Sequence, residues 1–385
     1  MIDAALARVP RRLRQTGLAV LVAGLAVTGV LASGLDAQRT ETVESAVWVM
    51  RAAGQYARVD TDLGEIDTVR LVADPSTVVQ SGGEALLLTS GLHTRWAVDP
   101  ADPADLEQAG EGSSPSPTGT VDVASAGSWV AYLTDSGRTW VQQVSDGAVA
   151  PATALDPAPE LDQASSGATD QASDDEPADP YAADLVAVDD AGAVAVYSQA
   201  ERAVRVLDAA TGEVTAGPTA LEQAPDDADP LSIALVGSRW AVLDQTGGRL
   251  WVQDLDAPVQ LGTTDAVLQQ SATVEGPVRL ADRSGLLEVD ATGELTRPVE
   301  ASGTPAVPVV LEDGTVVAAW LAETGGTLWT GRTDASGDTV PLTDDDGILA
   351  QLRDLTPVIR SNGARAVLEE TGSGLLWTVP DGLAV

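Results

Sequence analysis

The chain has no Cys, no Phe, one His and, among its 21 basic residues, no Lys, every one being Arg. Without Cys there can be no disulfide, no thiolate zinc site, no cysteine nucleophile and no lipid-bearing Cys of the lipoprotein type. The sole histidine, His93, sits in the turn of SGLHTRW. With neither a second His nor a Cys it cannot head a metal cluster or a serine triad of the usual kind, and it reads as an ordinary polar turn residue. Aromatics make up only 3% of the chain, so its nine Trp must carry much of the large-volume packing. Their placement is therefore informative.

Positive charge is scarce as well. The 58 acidic residues give a net charge of -37, and the imbalance is steeper beyond the first segment. Four Arg (Arg8, Arg11, Arg12, Arg14) and one acid (Asp3) precede Leu35, which leaves 17 Arg and 57 acids, a net of -40. Binding nucleic acid or anionic lipid requires a basic patch that neutralises phosphates, so nucleic acid is excluded as a partner of this body. The acids read as a soluble, self-repelling surface, with salt adaptation or cation binding as the alternatives.

One long apolar run is present. RVPRRLRQT is followed by GLAVLVAGLAVTGVLASGL, Gly17 to Leu35, which is uncharged and about long enough for a tilted helix to cross a bilayer. Arg on one side and acids from Asp36 on the other put the Arg cluster in the cytoplasm and the body outside. The expected organisation is a cytoplasmic segment 1–16, a transmembrane signal anchor 17–35 contacting the lipid bilayer, a linker 36–46 and a body 47–385. A cleaved signal peptide, with Ala32-Ser33-Gly34 as its site, is the alternative, and it would make the body a secreted protein.

The body repeats itself. Eight stretches read as two short runs rich in Val, Leu and Trp joined by a polar turn, which is a hairpin signature. They are AVWVMRAAGQYARVD near Val47, EALLLTSGLHTRWAVD near Ala85, WVAYLTDSGRTWVQQV at Trp129 and VAVYSQAERAVRVLD at Val194. RWAVLDQTGGRLWVQDLD at Arg239, PVRLADRSGLLEVDATG at Pro277, VVAAWLAETGGTLWTGRTD at Val316 and ARAVLEETGSGLLWTVPDG at Ala364 follow. The second-strand anchors Trp96, Trp140, Val204, Trp251, Leu287, Trp329 and Trp377 recur every 36 to 48 residues or so, with one gap of about 64. That is the range of propeller blades.

Further strand-like segments flank the hairpins: TVDVASAG, DLVAVDDAG, LSIALVGS and PVIRSNG before them, APVQL and DTVPLT after them. Four strands per unit, with edges and one apolar face to protect, predict radial closure into an all-β propeller of seven or eight four-stranded antiparallel blades. Eight hairpins argue for eight. Seven follows if the first copy, which lacks a leading strand, and the last, which stops after its third, share a blade. Trp140, Trp251, Trp329 and Trp377, at the start of third strands, read as packing between sheets rather than as a row of carbohydrate platforms.

The long gap holds LDPAPELDQASSGATDQASDDEPADPYAADL, Leu155 to Leu185, with nine acids and no Arg. Its composition cannot bury enough apolar surface to offset the entropy of ordering, so it reads as a disordered insertion between blades. DPADPADLEQAGEGSSPSPTGT, Asp99 to Thr120, reads as a lesser example.

Candidate sites are few. No catalytic residue stands out, because a carboxylate pair of the glycosidase kind cannot be picked from so many acids. Asp344, Asp345 and Asp346 in GDTVPLTDDDG are weak calcium candidates. They lack the alternating ligands and distal Glu of an EF-hand, and a solvated loop is the simpler reading. No Walker loop or G-x-G-x-x-G phosphate cradle is present, and no cofactor is expected. VLDAATGEV and EVDATGEL look like the D-x-x-T-G turns of quinoprotein-type repeats, where the motif shapes a blade turn without holding the quinone.

The Arg-rich start, single hydrophobic segment, VWV-type opening strand and G-x-L-W-V-x-D-L hairpins together resemble the N-terminal region of large actinobacterial envelope proteins that continue into fibronectin type III or Ig-like repeats. That resemblance implies a membrane-tethered extracytoplasmic propeller used for binding or scaffolding, with an envelope protein or cell-wall polymer as partner and no catalytic residues. The abrupt end in LLWTVPDGLAV suggests a polypeptide that continues past Val385, and, since no fibronectin-like repeat is present in this sequence, a short homologue is the other reading. The alternative is an extracytoplasmic enzyme acting on glycan or with a bound quinone.

Overall fold

Each hairpin of the repeat closes as read, because continuous apolar runs such as WVAYL, AVAVY and WAVL give its first strand two apolar faces to bury. A computed structural model describes residues 45–51, 54–106, 112–144, 149–155, 181–226, 231–332 and 337–385. Residues 1–16, the apolar run 17–35 and nearly all of the expected linker 36–46 lie outside the described residues, as does 156–180 of the acidic stretch. Among the described residues no helix is long and apolar enough to cross a membrane.

The body, residues 44–385, is one unit of eight antiparallel sheets, so the blade count is eight. Blade 1 is Ala46–Arg51, Gln55–Asp60 and Glu65–Leu71, and blade 2 is Pro75–Ser81, Glu84–Thr89, Thr94–Val98 and Ser113–Pro115. Blade 3 comprises Thr120–Ala126, Trp129–Thr134, Thr139–Gln143 and Thr153–Leu155, and blade 4 comprises Leu185–Val188, Ala193–Ser198, Ala203–Asp208 and Val214–Ala220. Leu231–Val236, Arg239–Asp244, Arg249–Val252 and Val259–Gln260 form blade 5, while Val267–Leu268, Val278–Asp282, Gly285–Val289 and Leu295–Glu300 form blade 6. In blade 7 both Thr304–Pro305 and Val309–Val310 pair with Thr315–Ala322, followed by Gly325–Arg332 and Asp338–Leu342. Blade 8 is Pro357–Ser361, Ala366–Glu370 and Leu375–Thr378. Beyond it the Val385 N–H donates to the Leu376 carbonyl (3.0 Å), which puts the last residues where a fourth strand would lie.

Eight hydrophobic clusters hold the ring, one at each junction between neighbouring blades. Trp96 packs between blades 1 and 2, Trp251 between 4 and 5, Trp329 between 6 and 7, and Trp377 between 7 and 8. The indole N–H groups of Trp251, Trp320 and Trp377 donate to the carbonyls of Glu222, Asp282 and Thr343 (2.8, 2.8 and 3.0 Å), each in or just after the preceding blade. Trp140 is half-buried against the cluster between blades 2 and 3. These residues are blade packing. At Gly192, φ is +89° and a Cβ would come within 2.9 Å of the Trp129 indole, so backbone conformation and close approach both call for glycine there.

One loop differs from expectation. Asp99 to Thr120 was expected to be an unstructured insertion, but its described parts are ordered against blades 1 and 2. Arg58, Arg70 and Tyr56 donate to the carbonyls of Pro100, Pro103 and Ala104 (2.7, 2.6 and 2.5 Å), the Leu71 N–H donates to Asp105 (2.9 Å), and Leu106 packs on the blade 1–2 cluster. Ser113–Pro115 then supplies the fourth strand of blade 2. Composition alone missed this because the carbonyls are satisfied by side chains remote in sequence. The first strand begins at Ala46, and Leu155 and Leu185 are strand residues that bound the acidic stretch.

Candidate functional site: the central channel

The first strands of the blades turn their residues toward the axis and enclose a cavity of about 320 Å³. Its charged lining among the described residues consists of Asp190, Glu312 and Arg360, set among the amides of Gln80, Gln269 and Gln270, hydroxyls and small aliphatic side chains. Asp190 lies between the first and second strands of blade 4, and Glu312 occupies the same kind of turn in blade 7, three places around the ring. Thr273 Oγ1 donates to Asp190 Oδ2 (3.0 Å), while Glu312 lies against Gly363 of blade 8.

Arg360 belongs to a different structure, the seam where the ring closes. Among the described residues blade 1 has no strand ahead of Ala46–Arg51 in its sheet, and none gives the inner edge of that strand a backbone ladder. Amide side chains from both flanking blades take its place. The Trp48 N–H donates to Gln80 Oε1 (2.8 Å), and Gln80 Nε2 and Asn362 Nδ2 donate to the Ala46 carbonyl (2.7 and 3.0 Å). Blades 2 and 8 then meet directly. The Gly82 N–H donates to the Asn362 carbonyl (3.0 Å), and Arg360 Nη1 donates to Thr77 Oγ1 (3.3 Å).

The same arginine donates from Nε to Glu369 Oε2 (3.1 Å), a carboxylate that is fully buried. Burial, the largest influence, raises the Glu369 pKa, against the opposing pull of Arg360 and the Met50 N–H. Register aligns Glu369 with Leu88, Leu133, Tyr197, Leu243, Ala281 and Leu321, each of which faces the next blade. Hydrocarbon at those junctions gives way to a carboxylate at the closing one, where free backbone donors need an acceptor.

The residues singled out in sequence are dispersed. His93 is exposed in its turn, with its carbonyl accepting from the Ser116 N–H (2.9 Å). Asp344 Oδ2 accepts from the Leu349 N–H (2.7 Å) and shapes the loop into a 3-10 turn, whereas Asp345 and Asp346 are exposed. Among the described residues no group of three or more His, Cys, Asp or Glu is arranged to hold a metal ion. Asp208 and Asp290 order the D-x-x-T-G turns. Asp208 Oδ1 accepts from the Thr211 N–H (2.8 Å) and hydroxyl (2.9 Å), and Asp290 Oδ1 accepts from the Thr292 N–H (2.8 Å) and hydroxyl (2.7 Å). Those bonds lower both carboxyl pKa values. Sequence reasoning missed Gln80, Arg360, Asn362 and Glu369. The only trace it held was Glu where the parallel VLDQTG copy has Leu-Asp at the structurally matched pair.

No protein-family model matches the chain, and no curated protein sequence matches it. Among solved structures it is similar to BamB from Moraxella catarrhalis, at 14% identity over 86% of this chain and 92% of that chain, with a TM-score of 0.47. Apo AztD from Citrobacter koseri has 14% identity over 88% and 93% of the two chains, with a TM-score of 0.47. A catalytically inactive virginiamycin B lyase from Staphylococcus aureus with quinupristin has 11% identity over 78% and 92%, with a TM-score of 0.45. At these values the likenesses add nothing beyond what the eight sheets establish, which is a β-propeller.

Proposed function

We propose that the chain is a membrane-tethered, extracytoplasmic propeller acting as a non-enzymatic binding or scaffolding module of the cell envelope, with an envelope protein or cell-wall polymer as its partner. The observation that carries this reading is the state of the channel charges. Arg360 is paired with Glu369, Asp190 is hydrogen-bonded by Thr273 and Glu312 lies against Gly363 three blades away. What remains is a lining of amides and hydroxyls, which suits recognition by hydrogen bonds. Acid-base chemistry would need two titratable groups within reach of one bond.

The tether rests on the Arg cluster and the run 17–35. Full-length protein is expected to fractionate with membranes and to be cut by protease added to spheroplasts, and a chain starting at residue 37 should be soluble. A cytoplasmic body overturns the reading, and an intact mass starting near Leu35 replaces the tether with release. Glycan hydrolysis or quinone-dependent dye reduction that is lost in Asp190→Asn or Glu312→Gln overturns the non-enzymatic role.

A further inference from the structure

Between blades 2 and 3, away from the central channel, lies a second cavity of about 430 Å³ whose chemistry is opposite to that of the rest of the body. Two arginines line it, Arg95 from the third strand of blade 2 and Arg138 from the hairpin turn of blade 3, and among the described residues no carboxylate lines it. Arg58, Arg202, Arg205, Arg249, Arg279 and Arg297 each hold an acid, whereas Arg70 and Arg239, like Arg95, donate to backbone carbonyls.

Arg95 is buried at 5% exposure and, among the described residues, meets only neutral groups. Its Nε donates to the Pro115 carbonyl (3.1 Å), and its Nη1 donates to Gln142 Oε1 and the Ala150 carbonyl. Its guanidinium also lies over the Tyr132 ring, 5.6 Å from the centroid. Arg138 is exposed, and its side chain has no hydrogen bond or ion pair among the described residues. Two buried polar groups nearby also lack partners. They are Ser116 Oγ, on a pocket-lining residue only 8% exposed, and Nε2 of Gln142, which is 2% exposed and held by Arg95 and Tyr132 through its other amide atom. Trp140 and three prolines supply an apolar wall.

We infer that this inter-blade pocket binds a small organic carboxylate with a ring or sugar body. A buried guanidinium without a counter-ion is unfavourable and gains most from a carboxylate, which matches its planar fork. Ser116 Oγ can satisfy a second polar atom of the ligand, and Trp140 can cover the face of its ring. A volume of this size falls in the range of small-molecule sites. The inference is independent of the channel reading and adds a ligand site outside it.

The probe is glucuronate, titrated into the full chain by calorimetry, with glucose and sulfate as comparisons. One-to-one binding of glucuronate is expected, with glucose and sulfate each at least about tenfold weaker. Arg138→Glu should abolish binding and Trp140→Ala should weaken it severalfold. Arg283→Gln, at a remote exposed arginine, should leave it unchanged. No binding, or equal binding by the Arg138→Glu protein, overturns the inference, and sulfate binding as well as glucuronate overturns the requirement for a ring body. The chain's own acids in 156–180 are a second source of the same chemistry. Glucuronate binding that appears only after those acids are replaced by Asn and Gln assigns the pocket to them and overturns the free ligand.

Discussion

A polar residue at the end of a blade's second strand does the same work in several copies. Asp244 accepts from the Gly247 N–H (2.7 Å) and from Arg249, and Glu370 accepts from the Ser373 N–H and hydroxyl (both 2.6 Å). Asp282 accepts from the Ser284 N–H (2.8 Å) and takes both arms of Arg297 (2.7 and 2.6 Å). Each ties its hairpin turn to its own sheet, which is why Asp and Glu recur at the same place in RWAVLD, VRLAD and AVLEE. Burial, the largest single influence, raises the Asp282 pKa, but the hydrogen bonds and charge of Arg297 together with the Ser284 and Gly285 N–H groups outweigh it and the net direction is down. Asp282→Asn is expected to cost about 2 kcal/mol at neutral pH, the scale of hydrogen bonds to a charged group. The folded-state pKa lies below the unfolded one, so the wild-type advantage is present above the unfolded value of about 4 and lost as pH falls through the lower folded value. Urea unfolding of both proteins at pH 7 and pH 3 measures the difference.

At the scale of the element, the hairpin was legible because its signals are local. Alternation over five or six residues, a Gly-bearing turn and a Trp opening the third strand do not depend on the rest of the chain, and all eight hairpins occur where the sequence places them. The junction partners were not legible. Trp377 is 1% exposed between blades 7 and 8 and donates to Thr343, whereas Trp140, at the same place in its hairpin, is half-buried beside the arginine-lined pocket. Trp377→Ala is therefore expected to cost about 3–5 kcal/mol as a large-to-small core change, and Trp140→Ala about 1 kcal/mol. Similar losses in chemical denaturation would show that the two indoles are packed alike. Asp99 to Leu106 teaches the converse, since a Pro- and Asp-rich stretch is ordered because Arg58, Arg70 and Tyr56 satisfy its carbonyls.

For the whole molecule, closure is the distinctive problem. A ring of repeats must join its first copy to its last, and here the first copy has, among the described residues, three strands and no inner one. The answer is a seam of side chains from Gln80, Asn362, Arg360 and Glu369 in the position an innermost strand would fill. Because burial raises the Glu369 pKa above its unfolded value, the folded state takes up the proton first. Relative to Glu369→Gln, which does not titrate, the wild type should gain stability as pH falls through the folded pKa toward the unfolded value of about 4.3. Thermal unfolding of the pair at pH 8 and pH 5 reads this directly. A wild type that loses ground on acidification would mean that the Arg360 pair outweighs the burial of the charge.

The sequence by itself determined the hairpins, their number and period, the all-β class and the acidity of the body, because each follows from composition or from residues within one turn of each other. It also carried the apolar run 17–35 on which the proposed tether rests. Only the tertiary structure decided that the first and last hairpins form two separate blades, that Glu369 faces the closing junction, and that Arg95 and Arg138 share a cleft with no carboxylate among its described lining residues. The physical reason is range. Strand pairing within a hairpin is fixed by near neighbours, but the partner of an edge amide, a buried guanidinium or a carboxylate is chosen by whichever blade closure brings alongside, as with Asn362 and Ala46, 316 residues apart.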